Sequence, residues 1–263
     1  MATGFAPGAP CWFDMAAIDI PAAAEFYRGV FGWTAQDTGP QTGHYTVLSQ
    51  DDALVAAIGS ATPDDSATPD GEPLPSRWLP YFAVDDVRRT VTAASADGGA
   101  ARCAYAEIPG QLEFAILTDP DGADYGLAHL TGHPGTQRWG WPNNPCWVQY
   151  TATRTPAEAM AHYAKALGWD YRNAGWETST ENPYQALAVG EREFGGAAAA
   201  RPGEPAPFWA LTVHVPDCDT AATRAAELGG TITQEPHDNP GPSRLAVIAD
   251  PAGATLALMA FGG

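Results

Sequence analysis

Apolar positions along this chain switch between two spacings. Residues 10–17 form a short, nearly continuous apolar run bounded by Pro10 and by Asp19-Ile20-Pro21, which predicts a strand. After Asp19 the period lengthens. Pro21, Phe26, Tyr27, Val30 and Phe31 recur at helical spacing and stop at Gly32, the pattern of a helix with an Asp cap and a proline in its first turn. Two β-like runs, 44–49 and 53–59, flank a hairpin turn at Gln50-Asp51-Asp52, and the Pro-, Asp-, Ser- and Thr-rich residues 61–76 predict a surface loop. The order then returns. A strand over 77–84 precedes a helix opened by Asp85-Asp86, carried by Val87, Val91 and Ala94, and ended at Gly98-Gly99. Strands over 100–107, 112–118 and 124–131 follow, with Asp119-Pro120-Asp121-Gly122 as a tight turn. Half of the chain is therefore read as two β-α-β-β-β modules, the first showing two of the three strands after its helix and the second all three.

Residues 132–144, with Pro134, Gly135, Gly140, Pro142 and two Asn, read as an interdomain linker. Beyond it the pattern starts again: a strand over 145–152, a helix from Thr155-Pro156 to Leu167, and strands near 184–189 and 194–200. A loop over 201–207, a strand over 208–215, a helix over 217–228 and strands near 231–235, 244–248 and 255–261 complete it. The repetition is literal. Cys11-Trp12 returns as Cys146-Trp147, and Phe26-Tyr27 with Phe31-Gly32-Trp33 returns as His162-Tyr163 with Leu167-Gly168-Trp169. Trp78, Val84, Gly98-Gly99 and Asp119-Pro120 return as Trp209, Val215, Gly229-Gly230 and Asp250-Pro251. The offset is 135 or 136 residues early in the repeat and 131 late in it. Two copies of one domain follow: residues 1–131, the linker 132–144, and residues 145–263. The class is α+β, with four βαβββ modules building curved mixed sheets that carry their helices outside.

Charge narrows the partners. A net charge of -18 with only 13 basic residues, none clustered, repels a polyanion and argues against nucleic acid. The acidity reads as a solubility feature. No apolar stretch approaches the ~18 residues of a membrane helix, and residues 1–10 lack the basic and apolar regions of a signal peptide. A cytoplasmic protein, monomeric or weakly dimeric, is expected. Four cysteines without CxxC spacing suggest reduced thiols rather than a zinc or redox motif. Cys11 and Cys146, each beside a Trp, read as buried on strands.

The two runs from Asp19-Ile20-Pro21 and Thr155-Pro156 through their Gly-Trp ends, with the two Asp-Pro turns, resemble the vicinal oxygen chelate superfamily. That group includes glyoxalases, extradiol dioxygenases and bleomycin-resistance proteins, and the tandem form is most similar to glyoxalase-like actinobacterial members. The resemblance covers nearly the whole chain outside the linker. It implies the fold, and for the metalloenzymes of the family it implies His or Glu ligands to a divalent ion on the first and last strands of each module. Those positions fall here on Trp12, on Trp147 or Val148, on Leu79 and Ala210, and on Gly126 and Ala257, while 53–59 and 194–200 hold no His and no acid. None of these side chains binds such a cation, and no HxH or HExxH occurs. No metal and no cofactor is expected.

The residues that stand in the ligands' place become the candidates. Strand alternation puts Trp12 and Asp14 on one face, with Trp147 and Gln149 at the same spacing in the second copy. An aromatic wall beside one directed polar group is the make-up of a small-molecule site; core packing is the alternative for Trp12. Tyr81 corresponds to Thr212, and Ala83 to His214. Asp14 and His214 are the candidate acid–base groups, with a hydrogen-bonded core or rim role as the alternative for His214. Glu113 and Arg244 are another asymmetric pair, either tuning the charge of each site or forming surface ion pairs. Tyr45 and Tyr184 add further proton-bearing groups.

Three functions fit. The first is a metal-independent binder of an aromatic or polycyclic small molecule, of the sequestration or resistance type in secondary metabolism. The second is a metal-free tailoring enzyme working by isomerisation, cyclisation, ring opening or hydration. The third is a structural role, for which no residue speaks.

Overall fold

A computed structural model describes residues 4–61, 76–204, 206–239 and 243–262. In the first half, β1 (Pro10–Ala17) leads to α1 (Ile20–Phe31), β2 (Thr34–Asp37), β3 (Thr46–Gln50) and β4 (Ala53–Ser60). Then come β5 (Arg77–Ala83), α2 (Val87–Ala96), β6 (Ala100–Ile108), β7 (Leu112–Thr118) and β8 (Asp124–Leu130). The second half repeats the order with β9 (Asn144–Ala152), α3 (Pro156–Leu167), β10 (Asp170–Asn173), β11 (Gln185–Val189) and β12 (Arg192–Ala199). It ends with β13 (Phe208–His214), α4 (Cys218–Glu227), β14 (Thr231–Asp238), β15 (Ser243–Ala249) and β16 (Thr255–Phe261). The loop expected over 61–76 falls, for residues 62–75, outside the described residues.

The fold is α+β. Two mixed sheets of eight strands have matching orders, β2-β3-β4-β1-β5-β8-β7-β6 and β10-β11-β12-β9-β13-β16-β15-β14. Caps set the helix starts as expected: Asp19, Asp86 and Asp217 accept from Ala22 N, Arg89 N and Thr220 N, and Gly32 and Gly168 end α1 and α3 at positive φ. β2 and β10 escaped the sequence reading. They are four-residue edge strands with almost no buried position, so they carry no apolar alternation to detect. No helix among the described residues is long and apolar enough to cross a membrane.

By contacts the chain forms two compact units, each drawing on both halves of the sequence. Unit 1 holds the described residues of Met1–Trp12, Pro80–Gly135 and Trp147–Ala210; unit 2 holds those of Phe13–Leu79, Thr136–Cys146 and Leu211–Gly263.

In unit 1 the first copy's Asp-Pro turn holds the second copy's helix. Asp119 is 5% exposed. Its Oδ1 accepts from the N–H groups of Asp121, Gly122 and Ala123 at 2.8–2.9 Å, and its Oδ2 from the hydroxyls of Tyr150 at 2.7 Å and Tyr163 at 2.9 Å. Trp209 donates to the Tyr163 hydroxyl at 2.9 Å. A buried carboxylate is tolerated only when paired this fully. Tyr125 meets His162 Nε2 at 3.0 Å, and Asp97 binds both His162 and Lys165 where α2 packs on α3. Gly99 permits that packing, because a Cβ there would come 3.2 Å from the His162 ring and 3.0 Å from Ala94 O.

Unit 2 repeats the device with the copies exchanged. Asp250 accepts from Ala252 N, Ala254 N and, at 3.3 Å, the Tyr27 hydroxyl, to which Trp78 donates at 3.0 Å. α1 packs on α4, where Gly230 leaves room for Phe26. The repeated Gly-Trp motif has a matching explanation. Trp169 donates to Gly8 O, and Trp33 to Asn143 O, both at 2.7 Å. Both acceptor residues sit at positive φ, and a Cβ on Gly8 would lie 2.7 Å from Leu167 O. The motifs that repeat most visibly therefore fasten one copy to the other within each unit.

Candidate functional site

The candidate residues cluster on the parallel strand pairs near the middle of each sheet. Asp14 on β1 is in register with Ala57 on β4, and Gln149 on β9 with Gly196 on β12. Tyr81 on β5 faces Gly126 on β8, and Thr212 on β13 faces Ala257 on β16. Each polar candidate thus lies beside a residue with little or no side chain.

In unit 2, Tyr45, immediately before β3, donates its hydroxyl to Asp14 Oδ1 at 2.6 Å. That is the length of a charge-assisted phenol–carboxylate bond. Both residues are half-buried. The pair sets a hydroxyl donor directly beside a carboxylate acceptor.

In unit 1 the equivalent tyrosine makes a different set. Tyr184 donates to Gln149 Oε1 at 2.7 Å and accepts from Trp147 Nε1 at 3.1 Å. Gln149 spends an N–H on Tyr150 O at 3.1 Å, which fixes its amide. The phenol lies so close over β12 that a Cβ on Gly196 would fall 1.8 Å from its oxygen. Burial pushes the Tyr184 hydroxyl well above the ordinary phenol range, so it stays protonated. The cluster is rigid, aromatic and uncharged.

The remaining candidates are placed elsewhere. Trp12 is 5% exposed, with its ring edge-on to His133 at 4.5 Å, which matches core packing. Burial lowers the His133 pKa, in keeping with a neutral imidazole whose Nδ1 accepts from Gly135 N. Thr212 is buried, and its carbonyl receives the Cys146 thiol as Tyr81 O receives that of Cys11. Burial pushes the Cys146 thiol up to about 12. His214 hydrogen-bonds the Gly140 carbonyl through Nδ1 at 2.9 Å and packs its ring on Phe261, so it ties the segment between β8 and β9 to β13. Arg244 is gripped by Asp219 through two bonds of 2.5 and 2.9 Å, by Asp238 at 2.9 Å and by Pro236 O. Desolvation, and after it the charges of Glu113 and Glu107, raise the pKa of Tyr105, on whose ring Arg88 stacks at 3.5 Å.

Two residues that the sequence reading passed over stand beside Tyr184. Trp176 packs on it with ring centroids 5.0 Å apart, and Glu177 accepts from Tyr184 N at 2.8 Å. A tryptophan inside an otherwise polar Ser-, Thr-, Glu- and Pro-rich segment was the available signal.

The donor set does not fit the divalent ion of the related metalloenzymes. Gly126, an expected ligand position, is covered by the Tyr81 ring, whose nearest carbon would lie 2.1 Å from a Cβ there. Gly196 is covered by Tyr184 in the same way. Tyrosine rings fill the space into which chelating side chains would project. Among the described residues no three His, Cys, Asp or Glu side chains are grouped to hold a metal, and one carboxylate with neutral phenol, indole and amide groups makes a poor cage.

The sequence model of the Glyoxalase/Bleomycin resistance protein/Dioxygenase superfamily matches residues 12–125, and that of the Glyoxalase-like domain matches residues 148–259. The anthracycline biosynthesis protein DauV of Streptomyces sp. strain C5 is 33% identical over 270 residues, 98% of this chain and 94% of its own. The anthracycline biosynthesis protein DnrV of Streptomyces peucetius matches with the same identity and coverage. Among solved structures, the 2,3-dioxygenase LapB of Pseudomonas sp. KL28 aligns over 99% of this chain and 94% of its own with a TM-score of 0.66 at 13% identity, a likeness of fold.

Proposed function

The chain belongs to the glyoxalase/bleomycin resistance protein/dioxygenase superfamily, and from that premise we propose that it is a metal-independent member that binds a planar, polycyclic aromatic molecule of secondary metabolism. The observation that carries the proposal is the replacement of chelating positions by tyrosine-over-glycine contacts, with Trp147, Gln149 and Tyr184 left as an uncharged aromatic cluster. Such a cluster recognises a flat ring system by stacking and by one or two directed hydrogen bonds. The relatives whose names place them in anthracycline biosynthesis support this ligand class, since an anthracycline is a fused-ring quinone.

A second reading rests on the Asp14–Tyr45 bond. A carboxylate that accepts from a phenol at 2.6 Å is equipped to take a proton from one atom of a bound molecule and, with the phenol, return it to another. The reaction class would be isomerisation, cyclisation, ring opening or hydration of the same ligand.

One experiment separates the readings. The full chain, treated with a chelator, is titrated with 1,4-dihydroxyanthraquinone, and the small molecule is then recovered and identified. Tight binding with recovery unchanged is expected of a binder. Conversion of the probe or of a related polyketide, slowed at least about 100-fold in Asp14→Asn with binding retained, marks the enzyme. A stoichiometric divalent metal whose removal abolishes binding overturns the proposal.

A further inference from the structure

The segment between β10 and β11, residues 174–184, is three residues longer than its first-copy counterpart, residues 38–45. Its neck is closed by the bond from Ala174 N to Tyr184 O at 3.0 Å, as the shorter one is closed from Thr38 N to Tyr45 O. The added length carries Trp176 and Glu177. Glu177 works as a clamp: its carboxylate accepts from Tyr184 N at 2.8 Å and from Ser179 N at 2.7 Å, and its own N–H reaches Ala174 O at 2.9 Å. Those backbone bonds hold its pKa below the usual carboxylate range. The clamp keeps Trp176 tilted at 44° against Tyr184 while leaving the indole 45% exposed. A single exposed aromatic is ordinary, but here the ring is held in place against Tyr184 beside hydrogen-bonding groups, an arrangement suited to a small-molecule site.

Apart from the Glu177 carboxylate, which is spent on backbone N–H groups, the polar groups beside it are uncharged and incompletely used. The Tyr184 oxygen, after accepting from Trp147, keeps a lone pair, and the Gln149 amide keeps a second N–H beyond the one bonded to Tyr150 O. An acceptor such as a quinone oxygen suits the amide, and a phenolic hydroxyl suits the tyrosine. An anionic ligand is disfavoured by the net charge of -18.

We infer that Trp176 is the outer ring of the Tyr184 subsite, and that a neutral planar quinone or phenol packs against its exposed surface beside Tyr184, with its polar edge directed to Gln149 and Tyr184. This deepens the ligand reading above and rests on it. The first copy lacks the ring, so discrimination for flat ligands belongs to the second-copy segment. Trp176 is a specificity residue and Glu177 a positioning residue.

Calorimetric titration of the full chain with 1,4-dihydroxyanthraquinone tests this, because heat remains readable after an indole is removed. Trp176→Ala should weaken binding about tenfold, and Trp176→Phe should restore it to within about threefold of the parent. Glu177→Ala should weaken binding as well, by releasing the ring rather than by losing a ligand contact. Each variant is checked by circular dichroism, and the exposed position of Trp176 lets the fold survive the change. Binding by Trp176→Ala within about twofold of the parent overturns the inference and leaves the ligand proposal standing. A parent protein that does not bind the probe overturns both.

Discussion

Around Asp119 in unit 1 five donors converge: three backbone N–H groups and the hydroxyls of Tyr150 and Tyr163. Around Asp250 in unit 2 the Tyr150 position is taken by Met15, and among the described residues Tyr27 is the one side-chain donor, at a longer 3.3 Å. The contrast extends outward. Unit 1 has Tyr125 and His162 where unit 2 has Leu256 and Phe26. At the candidate sites the polarity reverses. Unit 1 presents the neutral Tyr184, Gln149 and Trp147, and unit 2 presents the ionisable Asp14 with Tyr45. Duplication kept the Asp, Tyr and Trp hubs, because each fastens one copy to the other. It let the residues around them diverge, so that each unit puts its polar groups in a different place.

The largest effects should separate the two hubs. Asp119→Ala leaves two buried tyrosine hydroxyls and three N–H groups without their acceptor and should cost about 3–5 kcal/mol in urea unfolding. Asp250→Ala removes fewer bonds and should cost about 1–3 kcal/mol. Equal losses would mean that the denser network of unit 1 adds nothing, as happens when a polar core only replaces apolar packing of equal worth.

Next come the glycines beneath the site residues. Gly196→Ala places a carbon where the Tyr184 oxygen lies, breaks its bonds to Trp147 and Gln149, and should cost about 1–3 kcal/mol together with ligand affinity. Ala57 already fills the equivalent place beside Asp14, so Ala57→Gly should cost only about 0.5–1 kcal/mol, through backbone entropy.

The units also differ in pH response. Burial raises the Asp250 pKa above 3.8, so the folded chain holds that proton longer than the unfolded chain does. Its contribution is therefore lost as pH rises from 3.8 through the folded value. Asp97 in unit 1 is lowered by its bond to Lys165, so its contribution is present above 3.8 and lost as pH falls through its folded value. Unfolding midpoints across the acid range should show Asp250→Asn removing the first slope and Asp97→Asn the second. Unchanged profiles would place the titrating groups elsewhere.

Much of this architecture could be read from residue order. The strand over 10–17, the Asp caps and the Gly-Trp ends fall where periodicity and capping chemistry put them, because they are local. What the repeated Tyr, Trp and Asp-Pro residues do was not legible. Tyr27 and Asp250 are 223 residues apart, and their bond exists only because the units draw on both copies. At the sites, Asp14 and Tyr45 were legible as candidates but not as partners, and Tyr184 with Gln149 likewise, since each pair joins a strand to a segment about thirty residues on. Trp176 was overlooked because an exposed aromatic in a polar loop has no periodicity. His214 is a candidate acid–base group or a core or rim histidine by strand alternation, which does not show that the Gly140 carbonyl takes its Nδ1.

The asymmetry between Glu113 and Arg244 resolves into a charge exchange, and it yields the smallest predicted effect. Helix position 88 carries Arg and its equivalent, 219, carries Asp; strand positions 113 and 244 carry Glu and Arg in the opposite sense. Asp238 repeats the acid of Glu107 and completes the grip on Arg244. The two copies thus carry opposite signs at these equivalent positions, with Arg88 stacked on Tyr105 in the first and Arg244 bound to Asp219 and Asp238 in the second. These groups are exposed, so solvent and salt screen them. Arg244→Glu alone should lower stability slightly by setting acid against Asp219 and Asp238, and adding Asp219→Arg should recover part of the loss. Ligand binding should be unchanged throughout. A loss of binding in Arg244→Glu that the second change does not repair would show that this guanidinium serves the ligand, and the contrast between the copies at these positions would then be functional rather than a compensated exchange.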